Sequence, residues 1–302
     1  MPADMLNTKE VAEYLGIHEK QVYALIKENR IPCTRVTGKW IFPKNLIDEW
    51  IVQSANMSAD ISRKKDRYPN ALFAAGSNDP ILDILLNNMK LHSNTYIFSC
   101  STGSSEGLRL LSEKSVDIAW CHLFDTESGT YNIRFAENAL RERRFTVVHL
   151  FNREIGFLML SEVADILHEI KDLTNKKIRF INRQKGSGTR IFLDYQLNKE
   201  NISSTDIAGY ENEVFSHFEV GLAILEGEAN VGIGSVAASK ILGLPFHSLK
   251  KESFDMILDQ ETFFKNGVQD FIETLNSSDF KKKVEPLGNY DFNESGKIIF
   301  SS

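Results

Sequence analysis

The stretch FINRQKGSGTR, residues 180–190, changes character twice within a few positions. The apolar run KIRFIN (177–182) reads as a short buried strand, RQKGSGT as a loop of small and hydroxyl residues, and RIFLDYQLNK (190–199) as a helix. A loop that ends a strand and opens a helix presents backbone N–H groups with no partner inside the helix, at the positive end of its dipole. Gly186, Ser187, Gly188 and Thr189 stand at that point. Small residues let an anion approach the backbone, and hydroxyls add neutral donors. Arg183 and Arg190 supply charge, Arg183 through a fork that fits adjacent oxygens. The loop lacks the GxxxxGK[ST] spacing of a Walker phosphate loop, which argues against nucleotide hydrolysis.

The same pattern recurs on both sides. ALFAAG (71–76) leads through SNDP into ILDILLNNM, and TYIFSC (95–100) leads through STGSSEG into LRLLSEK. VDIAWC (116–121) leads into HLFD, and NVGIG (230–234) into SVAASKILG. Short apolar strands alternating with helices predict an α/β domain with largely parallel sheets. Ser77, Asn78, Ser101, Thr102, Gly103 and Ser104 fall in loops equivalent to GSGT. One such loop is explained by helix capping alone. Three at successive strand ends point to a ligand, and the ligand they suit is an anion.

The first fifty residues follow a different plan. Asn7 or Thr8 caps a first helix, with Glu10 completing a capping box after Asn7. Gly16 ends that helix, and a second one, from about His18 to Asn29, buries Val22, Leu25 and Ile26. IPCTRVTGKWIF then predicts a hairpin turning at Thr37-Gly38, and Pro43 opens a third helix, PKNLIDEWI. Two short helices joined by a tight turn let the second enter a major groove. Residues 1–52 are therefore read as one domain, 53–69 (with Arg63-Lys64-Lys65 and Pro69) as a linker, and 70–302 as the larger domain.

Residues 6–51 closely resemble the excisionase-type branch of the MerR-like winged helix-turn-helix family, through T-x-E-V-A-x-x-L-G, V-Y-x-L-I and the I-P before the wing. The resemblance implies that His18, Lys20, Gln21, Tyr23 and Lys27 face double-stranded DNA, while Arg35 and Lys39 reach phosphate or the minor groove. The larger domain resembles the periplasmic-binding-protein-like domain of molybdate- and tungstate-binding proteins. The matching pieces are AGSNDP, STGSSEGL, VDIAWCHLFD with Tyr131-Asn132, FINRQKGSGTR and NVGIG. That resemblance implies a type II, two-lobed α/β fold with lobe I at 70–152 plus 246–302 and lobe II at 153–245. VVHLFNREIGFLML and PFHSLKKESFDMIL would be the crossover strands. It places Ser77, Asn78 and Ser101 to Ser104 on lobe I, Arg183 and Gly186 to Arg190 on lobe II, and His122 and Tyr131 at the rim. The implied effector is a small oxyanion, molybdate or tungstate, with another tetrahedral or small organic anion as the alternative; no cofactor is called for. Cys100 stands where such proteins often carry a hydroxyl residue.

Composition sets outer limits. The chain has 302 residues, 42% hydrophobic and 25% charged, with a net charge of −6. Residues 1–67 carry 11 Lys and Arg against 9 Asp and Glu, so the acidic excess lies wholly in the larger domain. A mildly basic head permits phosphate contact by the head alone. Cys33, Cys100 and Cys121 form no CxxC pair, no run of eighteen apolar residues occurs, and the start lacks a secretory leader. These features predict a cytoplasmic protein with no membrane partner. A reader this small predicts a homodimer on a two-fold operator. The seven histidines show no HExxH spacing and there is no G-x-S-x-G elbow, so an enzyme is not expected. A phage-type architectural excisionase, bending DNA without sensing, is the remaining reading of the head, and the long body argues against it.

Overall fold

The computed structural model describes residues 5–28, 30–36, 38–52, 71–89, 95–141, 143–288 and 290–302. The chain divides into two compact units, 1–69 and 70–302. The linker at 53–69 lies outside the described residues, as do Asn29 and Thr37.

In the first unit, β1 (Met5–Leu6) leads to α1 (Thr8–Leu15). The capping box is formed: Asn7 Oδ1 accepts from the Lys9 and Glu10 N–H groups, and the Asn7 N–H donates to Glu10 Oε2 at 2.8 Å. Gly16 ends the helix at φ 67°, a left-handed conformation that suits a residue without Cβ. α2 (Glu19–Lys27) follows from an N-cap at His18, then β2 (Thr34–Val36) and β3 (Lys39–Pro43) form the wing. The three strands order as β1-β3-β2, all antiparallel. Pro43 ends β3 opposite Met5 instead of opening the next helix, so α3 runs over 44–52. At the end of an outer pairing, proline's missing N–H costs the ladder little. Val11, Ala12, Val22, Ile26, Ile31, Phe42 and Ile47 form the core. Truncating the fully buried Phe42 to Ala would cost about 3–5 kcal/mol, enough to threaten so small a unit.

The second unit begins with β4 (Ala71–Gly76), α4 (Pro80–Met89), β5 (Tyr96–Ser101), α5 (Ser104–Ser112), β6 (Ile118–Cys121) and α6 (Ile133–Ala139). The long β7 (Phe145–Met159) leads to β8 (Phe180–Arg183), α7 (Gly188–Lys199), β9 (Glu213–Val214), α8 (His217–Leu225), β10 (Val231–Ser235) and α9 (Val236–Leu242). A second long strand, β11 (Phe246–Asp259), returns, followed by α10 (Gln260–Phe263), α11 (Asn266–Asn276), α12 (Ser278–Val284) and β12 (Ile298–Ser301). The sheet order is β5-β4-β6-β11-β7-β10-β8-β9, with β12 added on β7.

The sheet is mixed, not largely parallel. β4 pairs in parallel with β5 and β6, and β8 with β9 and β10, but the centre is antiparallel. The cause is the pair β7 and β11, which run side by side from Phe145↔Asp259 to Leu158↔Phe246. Each strand serves two lobes: the Thr146 end of β7 carries β12, and its Ile155–Met159 end carries β10. Each lobe buries apolar side chains on both faces of its part of the sheet. In one lobe, Leu72, Ile81, Leu85, Met256 and Phe271 lie on one face and Leu111, Ala119, Leu123, Val147 and Ile257 on the other. In the second, Phe157, Ile178, Phe180 and Leu193 oppose Leu158, Ile181, Val220 and Ile224. Strand ends thus meet between the lobes, where α/β folds place ligands.

Candidate functional site

Where the strands of the two lobes end, polar side chains are buried together. Arg153, on β7, is 1% exposed. Its guanidinium donates from Nε to Glu252 Oε1 at 2.8 Å and from Nη1 to Asp79 Oδ2 at 2.6 Å. Nη1 also reaches the Asn78 carbonyl at 3.1 Å, and Nη2 lies 3.2 Å from His217 Nε2. Burial works against this cation, but Glu252 and Asp79 more than offset it and raise its pKa. Glu252, on β11, would be pushed up by burial; His122 and Arg153 reverse that and hold its carboxyl at about 2. Its Oε2 takes the remaining bond, from His122 Nδ1 at 3.1 Å. Burial lowers the pKa of His122 and carries that of His217 well below its usual value, with Arg183 and Arg153 adding to the effect on His217. Both rings are therefore neutral.

Arg183, at the end of β8, is a buried cation of another kind. Its Nη2 donates to the Phe215 carbonyl at 2.8 Å and its Nε to the Val214 carbonyl at 3.3 Å. No carboxylate among the described residues lies within ion-pair distance of it, and Nη1 is buried without a partner. Burial, with Arg153 nearby, pulls its pKa down to about 10. A guanidinium out of water with no carboxylate in contact is costly, and a bound anion would offset that cost. Among the described residues, two other buried side-chain polar atoms lack partners, Thr189 Oγ1 and His217 Nδ1.

The loops singled out in the sequence come together around these groups. Ser187 caps α7, its Oγ accepting from the Arg190 N–H, so Gly188 and Thr189 form the helix's first turn. Ser105, in the first turn of α5, donates its N–H to the Gly186 carbonyl at 3.4 Å, joining the two loops across the cleft. Gly103 and Thr102 both donate to the Gly76 carbonyl, and Ser104 Oγ accepts from the His122 N–H. Ser77 is buried at the end of β4 and donates its N–H to the Trp120 carbonyl. Ser101 is exposed at the end of the outermost strand and stands apart from the buried group.

Two further expectations need correction. His122 is not at a rim: it is 2% exposed and tied to Glu252, because β6 ends inside the cleft. Tyr131 is half-buried, its hydroxyl donating at 3.2 Å to the carbonyl of Lys251, the residue before Glu252. Arg190 supplies no charge to the cleft, since its guanidinium is committed to Asp194 and Glu213 and lies over the Tyr210 ring. Conversely, Asp79, Arg153, His217 and Glu252 were not foreseen, because Arg153 and Glu252 lie among other polar and charged residues in the crossover runs.

Two other constellations resemble a metal site and a catalytic relay. His122, His217 and Glu252 each offer a ligand atom within 4.8 Å of the others. Both Glu252 oxygens are occupied, however, and the Arg153 charge stands beside His217, so the environment opposes a metal cation. Ser253, His149 and Asp255 also cluster, but Ser253 Oγ and Asp255 Oδ1 both meet Nδ1 of His149, at 2.9 and 2.8 Å. A relay needs them on opposite ring nitrogens.

On the first unit, His18, Lys20, Gln21, Tyr23 and Lys27 are all exposed on α2 or its cap, and Arg35 and Lys39 are exposed on the wing. Tyr23 is 51% exposed, so its ring is free to meet a partner. Gln21 is partly engaged: its Oε1 accepts from the His18 N–H at 3.0 Å. Arg35 lies over the Trp40 ring. No helix among the described residues is long and apolar enough to cross a membrane.

Comparison with known proteins agrees with both geometries. A model described as a PBP superfamily domain matches residues 86–276, and one described as a helix-turn-helix domain matches residues 5–54. The uncharacterized protein YvgK of Bacillus subtilis (strain 168) is 27% identical over 97% of this chain and 97% of its own length. Among solved structures, the tungstate ABC transporter of Geobacter sulfurreducens covers 72% of this chain and 99% of its own, at TM-score 0.53 and 12% identity. An H2O2-bound cysteine-to-serine mutant of Corynebacterium glutamicum OxyR covers 93% and 90%, at TM-score 0.52 and 12% identity. At such identities the likeness is one of fold. Both matched domains are of DNA-binding and binding-protein type.

Proposed function

The chain belongs to the PBP superfamily, and from that membership we propose that it is a DNA-binding transcriptional regulator governed by a small oxyanion in the cleft. The observation that carries the ligand class is Arg183, a buried guanidinium whose Nη1 has no partner and which makes no ion pair with any carboxylate among the described residues. An oxyanion would accept from Arg183 Nη1 and Thr189 Oγ1 and lie at the first turn of α7. In this reading lobe I is 70–152 with 246–302 and lobe II is 153–245. Ser77, Asn78, Thr102, Gly103 and Ser104 close over the ligand from one side and Gly186, Ser187 and Gly188 from the other. Molybdate or tungstate is the first candidate; tungstate is also what the Geobacter transporter is described as carrying. Another tetrahedral or small organic anion is the second.

The head reads double-stranded DNA through α2 and the wing, and two heads on a homodimer engage a two-fold operator. The whole acts in the cytoplasm, where DNA and ligand meet. Calorimetry of the full chain with molybdate, tungstate, sulfate and phosphate tests the ligand class. Saturable binding of at least one is expected, and heat from none of the four contradicts the oxyanion reading.

A further inference from the structure

We propose that His217 is a ligand contact in the same cleft and that Arg153 positions it, by forcing its one proton onto Nδ1. The inference rests on the oxyanion reading above. A guanidinium carries N–H donors and no acceptor. With Arg153 Nη2 3.2 Å from His217 Nε2, that nitrogen must accept and so bears no proton. The ring is buried between Arg153, Arg183 and His122, which disfavours a second proton. The single proton therefore sits on Nδ1, which is buried and has no partner.

Nδ1 stands on the side of Gly234, 3.6 Å from where a Cβ on that residue would lie, and two residues along the chain from the Phe215 carbonyl that Arg183 holds. Among the described residues, His217 Nδ1 thus joins Arg183 Nη1 and Thr189 Oγ1 as a buried polar atom without a partner. All three can donate. The nearby carboxylates cannot compete as acceptors: Asp79 is held by Arg153, Tyr290 and the Ile81 N–H, and Glu252 by Arg153 and His122. Arg153 thereby ties together Asp79 at the start of α4, Glu252 on β11 and His217 at the start of α8, and orients the donor without touching the ligand.

Two measurements on the full chain test this. Nitrogen-detected NMR of the histidine rings should show His217 protonated at Nδ1 alone, with that nitrogen shifting when molybdate is added. In calorimetry with molybdate, or whichever of the four anions the parent binds, His217→Ala should lose about tenfold or more in affinity. His217→Asn, whose amide nitrogen occupies the Nδ1 position, should recover most of it. Arg153→Lys keeps a charge beside Glu252 and Asp79 but loses the fork, and should give a mixture of tautomers. An Nε2-protonated ring in the parent, or a folded His217→Ala that binds with parent affinity, overturns the proposal while leaving the oxyanion reading intact. Zinc binding that depends on His217, with anion binding indifferent to it, overturns it in favour of a metal site. A parent that binds no oxyanion overturns both.

Discussion

Gly188 stands against His122 with no space between them: a Cβ on Gly188 would lie 2.6 Å from both the ring Nδ1 and the backbone oxygen of His122. Gly188 begins α7 in one lobe and His122 ends β6 in the other, so this contact measures closure of the cleft. Since backbone as well as side chain would be struck, Gly188→Ala must hold the two loops apart. Overpacking of this kind costs about 1–3 kcal/mol, which should appear as weaker anion binding with little change in the unfolding midpoint of the ligand-free protein. Calorimetry and thermal unfolding check both; parent affinity in the variant would mean that the closed contact is not the binding state.

Arg183 and Arg190 are seven residues apart and make opposite predictions. Arg183→Ala should weaken oxyanion binding by about 1.5–3 kcal/mol, the range for a charge-assisted hydrogen bond. Arg190→Ala should leave binding nearly unchanged and destabilise the fold by about 1–3 kcal/mol, since Asp194 and Glu213 lose their partner. Calorimetry with urea unfolding separates them, and a reversed pattern would move the site to the far side of α7.

The buried titrating groups fix how stability depends on pH. His122 and His217 have folded pKa values below 6.5, so below that pH the unfolded chain takes up protons that the folded chain does not. Their contribution is full above about pH 6.5 and is lost as the pH falls, with a slope of at most about 1.4 kcal/mol per pH unit for each. Glu252, shifted down from 4.5 to about 2, contributes stability that is present above 4.5 and lost as the pH falls toward 2. Urea midpoints from about pH 8 to about pH 5 should decline, and the decline should be shallower in His217→Asn. Constant stability across that range would mean that the histidines are not held neutral.

Several strands and the small-residue loops that follow them were legible because local chemistry dictates them. ALFAAG, VDIAWC and NVGIG are apolar runs ended by small residues, and each forms a strand close to those limits. The Asn7–Glu10 capping box and the Gly16 stop follow from single residues. The antiparallel centre was not legible, because the pairing of β7 with β11 joins segments about a hundred residues apart. The buried network was missed for the same reason. Asp79, Arg153, His217 and Glu252 are widely separated in sequence, and only folding brings them together. Arg190 misled for a local reason: Asp194, four residues on, turns its guanidinium along the helix.

On the head, Lys39→Ala and Gln21→Ala should differ in kind. Lys39, exposed on the wing, is expected to contact phosphate, so its loss should weaken all sequences alike and lower the salt slope by about 1. Gln21 is expected to read a base edge with its amide nitrogen, while its oxygen accepts from the His18 N–H. Its removal should relax base preference, by about 1–3 kcal/mol at one position, and also lower the stability of the head. Gel shifts over a salt series, with operator and unrelated duplex, distinguish these outcomes; the opposite assignment would place the recognition face elsewhere.

The central claim is that the cleft governs the head. A ligand can do so only through a free-energy difference between two arrangements of the protein, typically about 1–3 kcal/mol, and operator must then alter ligand affinity by the same factor. The most direct test is operator affinity of the full-length protein, with its dimeric state checked by light scattering, measured with and without saturating oxyanion. A change of about 5- to 150-fold, matched by an equal change in oxyanion affinity when operator is present, is the predicted result. Identical operator affinities in the two conditions would contradict it, leaving a DNA reader and an anion binder on one chain with no coupling between them.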